Sequence, residues 1–93
     1  MSKKKDENYI YLRRNYLIDL RRERGLSQKK VASKALMEHP VYNQIENGKL
    51  GRLMNAPKLL LLAQAFDIDV QVLCELERDY LDELDERNNK ERW

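Results

Sequence analysis

Asn43, Gln44 and Asn47 place three side-chain amides within five residues, in a segment that Pro40 opens and Gly48 closes. An amide offers a donor beside an acceptor, and that pair matches N6 and N7 of adenine at a base edge. His39 stands just ahead of them with a ring that can donate or accept. Cations flank the segment: Arg21, Arg22, Lys29 and Lys30 before it, Lys49 and Arg52 after it. Such side chains suit phosphate oxygens. Reaction chemistry is poorly served by comparison. His39 has no obvious nucleophile partner, and one His with one Cys makes no metal-ligand cluster. There is no Gly-rich phosphate loop, and the carboxylates of residues 75–86 read as a solvated helix face. The residues therefore predict no catalytic residue, no metal and no cofactor, and a chain that is not an enzyme.

The elements that must hold these residues can be read outward from them. Ser27 is a good N-cap, because its hydroxyl can accept from the orphan amides of a first turn. Val31, Ala32 and Ala35 then line one face of a short helix. Pro40 tolerates only a first turn and marks a second helix start near Glu38 or His39. Val41 and Ile45, four apart, are expected to face inward together, leaving Asn43, Gln44 and Asn47 on other faces. Gly48 supplies a left-handed stop. Two short helices, a tight turn and an amide-rich second helix make a helix-turn-helix. Glu46, repelled by phosphate, is expected to point inward or toward a neighbouring Arg.

The run resembles the lambdoid phage repressor and Cro family of XRE-like helix-turn-helix regulators. The matching pieces are Arg24-Gly25-Leu26-Ser27-Gln28, Val31-Ala32 and Ile45-Glu46-Asn47-Gly48-Lys49. Leu59 to Phe66 and Ile68-Asp69-Val70 match the family's fourth helix and the entry to its fifth, so the likeness spans about residues 12–76. The resemblance implies an all-α, compact five-helix repressor-like domain that places its recognition helix in the major groove. It implies base-reading positions at His39, Pro40, Asn43 and Gln44. It implies phosphate contacts from Gln28 and Lys29 at the start of one helix, and from Asn47, Lys49 and Arg52 beyond the other. Two residues depart from the pattern. Leu36 stands where the family has Gly in the turn, so that turn is either strained or of a different shape. Pro40 has no donor and cannot read a base edge by hydrogen bonding.

Length and charge frame this reading. Ninety-three residues suit one small domain with one core. Residues 1–60 hold fourteen Lys and Arg against six Asp and Glu, and residues 61–93 hold four against ten. A front of +8 and a back of −6 give the net +2, and the basic half coincides with the helix-turn-helix. No apolar run reaches the length of a membrane span, and the Lys-rich start lacks the apolar segment of a signal peptide. Single Cys74 fits a reducing cytoplasm. The expected organisation is a disordered basic arm over 1–7 with Lys3, Lys4 and Lys5, a DNA-binding domain over 8–76, and a helical extension with a frayed end over 77–93.

The first helix is expected from about Asn8 to Arg24, with Tyr9, Leu12, Tyr16 and Leu20 as its inner stripe and Tyr11 and Ile18 opposite. Asn55 and Asp69 are expected to cap the fourth and fifth helices, and Leu59 to Leu62 to be buried on most sides. The fifth helix is expected to run from Val70 to about Arg87, with Leu73, Leu76, Tyr80 and Leu84 as its stripe and Cys74 half-buried. A minimal five-helix core needs only the first two turns of this helix, served by Leu73 and Leu76, so Tyr80, Leu81 and Leu84 extend past it. The surface in question is Leu76, Tyr80 and Leu84. They are candidates for pairing two copies, or for packing on the first helix. Two functions follow as expectations. One is a sequence-specific double-stranded DNA-binding regulator, most simply a repressor, acting as a homodimer on a palindromic operator. The other is an antitoxin or protein-interaction module that meets a partner through its acidic C-terminal helix.

Overall fold

The computed structural model describes residues 11–49 and 54–92, with side chains described through residue 88. The expectations for Lys3, Lys4, Lys5, Tyr9, Arg52 and Trp93 lie outside those residues. Among the described residues five α-helices follow in order: α1 Asn15–Glu23, α2 Gln28–Lys34, α3 His39–Glu46, α4 Ala56–Phe66 and α5 Val70–Arg92. Among the described residues there is no strand, and no helix is long and apolar enough to cross a membrane.

The caps are local chemistry. Ser27 accepts from the Lys30 amide at 3.1 Å, and Asn55 from the Lys58 amide at 2.9 Å. Asp69 Oδ1 accepts from the Gln71 amide at 2.7 Å. Each of these side chains satisfies one of the unpaired donors of a first turn. The ends of α1 to α4 all use a left-handed residue, at Gly25, Leu36, Gly48 and Asp67. Behind each, an amide returns to an earlier carbonyl, as Met37 does to Ala32 at 2.9 Å and Lys49 to Gln44 at 2.9 Å. The turn between α2 and α3 thus takes a left-handed residue, and that residue is Leu36 at φ 57°, where the resemblance led one to expect Gly. A Cβ there costs about 1–2 kcal/mol. Leu36 is 79% exposed, so its side chain returns little burial. Leu36→Gly is expected to stabilise the domain by about 1 kcal/mol after the extra chain entropy of glycine is subtracted. For a domain of this size the melting temperature rises by about 4–8 °C; a fall on thermal denaturation would contradict the strain.

The core lies where α2 packs on α3 and α4, with α5 closing over α4. Leu17, Val31, Tyr42, Ile45, Leu62, Phe66 and Leu73 are fully enclosed in it. Several expectations are corrected here. In α3 the inward pair is Tyr42 and Ile45, while Val41 is only half-buried. Leu60 is 48% exposed, because α4 turns that face to solvent. Cys74 is exposed, one residue off the buried stripe of α5. That stripe is Leu73, Glu77, Tyr80 and Leu84, with Leu76 half-buried at its edge. The helix also passes Asn88-Asn89 and reaches Arg92.

Among the described residues the first helix begins at Asn15, inside the stretch its periodicity suggests. Residues 11–14 are not helical, since the Arg14 amide donates to Glu46 O at 2.8 Å across the fold. Ile18, expected on the outer side, is 6% exposed, and Tyr16 and Leu20 are half-buried. Tyr80 and Leu84 are 6% and 2% exposed within the single chain. Their burial removes the reason for pairing copies through them: they do not stand wet beyond the core.

Candidate nucleic-acid interface

The surface worth reading is the outer side of α3 and the start of α2. His39, Pro40 and Gln44 are exposed along it, Asn43 and Asn47 are half-buried, and Lys49 is exposed just past its end. Gln28 is half-buried at the first position of α2, and Lys29 is exposed beside it. Pro40 sits in the first turn, where its missing amide proton costs nothing. Glu38, the N-cap, makes no side-chain cap bond.

A buried carboxylate organises this surface from beneath. Glu46 is 1% exposed. It accepts from Arg21 Nε at 2.7 Å and Nη2 at 3.2 Å, from the Tyr42 hydroxyl at 2.7 Å, and from Gln28 Nε2 at 2.8 Å. Burial alone would raise its pKa. The hydrogen bonds from Arg21, Tyr42 and Gln28 outweigh that and hold the carboxyl below the ordinary range. The Tyr42 hydroxyl is pushed well above its usual value, first by burial and then by its bond to Glu46.

The carboxylate also sets a direction along the chain of bonds. It can only accept, so Gln28 turns Nε2 toward it and Oε1 outward. That oxygen receives Asn43 Nδ2 at 3.0 Å and lies 3.3 Å from His39 Nε2. Because Oε1 accepts only, His39 donates through Nε2. The bond from Asn43 uses one N–H of its Nδ2 and leaves its Oδ1 out of it. Gln28 therefore orients Asn43 and His39 in this structure rather than presenting its amide outward. Asn47 Nδ2 donates to Asn43 O at 2.9 Å and ties off the last turn of α3.

The basic residues divide into two sets. Arg21 is taken up by Glu46 and by Leu26 O at 3.3 Å. Arg24 donates to Phe66 O at 2.7 Å and Leu20 O at 3.0 Å, with its guanidinium 5.9 Å from the Phe66 ring centre. Both serve the fold. Arg22, Lys29, Lys30 and Lys49 are exposed. Sequence reasoning missed Tyr42, whose hydroxyl meets Glu46 one helical turn on. The i, i+4 spacing of Tyr42 and Glu46 was the available signal. It also missed Arg14, which is 0% exposed and reaches the end of α3 at Ile45 O, 2.8 Å away. No local pattern marks that residue.

Among the described residues no group of His, Cys, Asp and Glu could hold a metal ion. A family model described as helix-turn-helix matches residues 17–73, more than half of the chain. The matched stretch contains α1 from Leu17 on, α2 to α4 and the first turn of α5, and with them Arg21, Gln28, His39, Tyr42, Asn43 and Glu46. Arg14 lies before it, and Glu77 and Tyr80 lie after it. No curated protein and no solved structure matches significantly.

Proposed function

This chain belongs to the XRE/Cro-type helix-turn-helix family of DNA-binding regulators, and from that membership we propose that it is a sequence-specific repressor of transcription reading the major groove with α3. The observation that carries the reading is the outer face of α3. Asn43 is oriented by Gln28, His39 and Gln44 stand beside it, and the whole face sits in the basic half of the chain. A helix in the groove reads with side chains near its N-terminus and on its outward face. Pro40, exposed in that first turn, can contribute an apolar contact but no donor. Lys29 and Lys49, exposed on either side, and Asn47 at the helix end are the proposed phosphate contacts, with Arg52 beyond the described residues.

The experiment is selection of bound sequences from random duplex DNA by the full chain. An enriched motif supports base reading. A palindrome means two copies on one operator, and a single half-site means one. Absence of enrichment favours the second reading, in which the exposed acidic side of α5 (Glu75, Asp79, Asp82 and Glu86) meets a basic protein partner.

Two quantitative outcomes follow on the selected duplex. Asn43→Ala and Gln44→Ala should each cost about 1–3 kcal/mol there and little on random duplex. Equal losses on both DNAs, by fluorescence anisotropy, would remove the base-reading role. Affinity should also fall steeply with salt, and Lys49→Ala should flatten the slope of log affinity against log salt by about one unit. A wild-type chain indifferent to salt would contradict phosphate contact altogether.

A further inference from the structure

Glu77 is a buried carboxylate that the reading face does not use. It is 4% exposed, on α5, beyond the stretch that the family model matches. It holds Arg14 with two bonds, from Nε at 2.9 Å and Nη2 at 2.8 Å, and it also accepts from the Tyr16 hydroxyl. The remaining edge of the same guanidinium donates from Nη1 to Ile45 O at 2.8 Å, and the Arg14 amide donates to Glu46 O at 2.8 Å. Those two carbonyls belong to the last turn of α3, where helical partners run out and where a cation suits the dipole. One buried side chain thus joins the end of the recognition helix to the outer half of α5.

Tyr80 adds to the same connection. The Arg14 guanidinium lies 4.4 Å from the centre of the Tyr80 ring. The Tyr80 hydroxyl donates to Leu12 O at 2.8 Å. Gly48, which ends α3, sits so close to that pair that a Cβ there would stand 2.2 Å from Leu12 O and 2.9 Å from the Tyr80 oxygen. The last turn of α3 is therefore clamped between residues 12–14 and α5. Past Glu77, the buried side chains of α5 among the described residues are Tyr80 and Leu84 alone. A segment with so few apolar contacts opens at lower free energy than the core does.

We propose that the outer half of α5 is an allosteric handle on the recognition helix, its docking through Glu77 and Tyr80 and the reading of DNA by α3 being thermodynamically linked. The linkage rests on the DNA-reading function proposed above. It is reciprocal: bound DNA holds residues 77–88 down, and anything that draws those residues away loosens DNA by the same factor. Release of α5 frees Arg14, and with it the anchor on Ile45 O and the wall against Gly48. The face carrying Asn43 and Gln44 then loses its fixed approach to the groove.

The test uses the full chain, the duplex enriched by wild-type selection, and a random duplex of equal length. Tyr80→Phe removes one hydroxyl and keeps the ring under Arg14. It should melt cooperatively like the wild type, yet exchange the amide protons of Asn47, Gly48 and Lys49 faster without DNA. Its preference for the selected over the random duplex should drop about fivefold, the low end of usual coupling. In the wild type, the selected duplex should slow amide exchange across residues 78–88. Glu77→Gln is the stronger perturbation, and Tyr80→Phe decides the matter if Glu77→Gln does not fold. A wild-type chain that enriches no duplex defeats the DNA reading and the linkage together. A chain that enriches a duplex which leaves the exchange of residues 78–88 unchanged, or whose Tyr80→Phe variant keeps full preference, overturns the linkage alone.

Discussion

Gly48→Ala is expected to cost about 3 kcal/mol or more, the sum of a left-handed Cβ and an overpacked contact. Gly48 has φ 72°, a conformation in which an L side chain is strained. The new methyl would also stand 2.2 Å from the carbonyl oxygen of Leu12, so backbone has to move. The neighbouring chain cannot give way cheaply, because the Tyr80 hydroxyl holds that same carbonyl at 2.8 Å. Gly25→Ala provides the control. Gly25 has φ 64° but nothing within 4 Å of its added Cβ, so it should bear the conformational cost alone. The melting temperature of Gly48→Ala should fall by about 10–20 °C. A fall no larger than that of Gly25→Ala would show that the clamp at the end of α3 yields freely.

Glu46→Ala should be comparably damaging for a different reason. It leaves the Tyr42 hydroxyl, at a side chain 0% exposed, without its acceptor. It also leaves Arg21, with a side chain 17% exposed, without its counter-charge. Removing one partner of a buried pair costs about 3–5 kcal/mol, and partial access of Arg21 to water places this case near the lower bound. About 3 kcal/mol is a substantial share of the stability of a small domain, about 5–15 kcal/mol. The same carboxylate predicts an acid response. Its folded pKa is depressed, so its contribution is fully present above the unfolded value of about 4.3 and is lost as pH falls through the folded value. Denaturant titrations of the wild type should show stability falling steadily below about pH 4.3. The slope should be shallower in Glu46→Ala; equal slopes would assign the acid sensitivity to other carboxylates.

What the sequence reveals and what it withholds divides along the reach of the interactions. Ser27, Asn55 and Asp69 cap helices with their own neighbours' amides, and Gly25 and Gly48 end them within one turn. Such devices are written within four residues and can be read there. The amides of α3 are equally legible, since Pro40 and Gly48 bracket them. The start of α1 is not. Tyr9, Leu12, Tyr16 and Leu20 have helical spacing, but the Arg14 amide is claimed by Glu46 O, and a bond from 32 residues away outweighs local periodicity. Glu77 was equally hidden. A charged residue beside Leu76 reads as solvent-facing, and only Arg14, 63 residues earlier, explains its burial. Orientation within the reading face lay between these extremes. Asn43 was visible as an amide, but its orientation depends on Gln28 and hence on Glu46, contacts made between helices.

The 63-residue separation between Arg14 and Glu77 also has a meaning in time. At ~5–20 residues per second, a ribosome makes Glu77 about 3–13 s after Arg14. Through that interval α1 to α4 can form, but the guanidinium that ends α3 lacks the Glu77 carboxylate, and Gly48 faces Leu12 without the Tyr80 hydroxyl that holds it. Closing so long a loop is slow and unrewarded until its last contact is made. The nascent protein therefore carries a complete recognition helix before it carries a seated one. On the linkage proposed above, competence to choose a DNA sequence would arrive only with translation of the stretch from Glu77 to Leu84, and a chain stalled short of it would compete for phosphates without competing for operators.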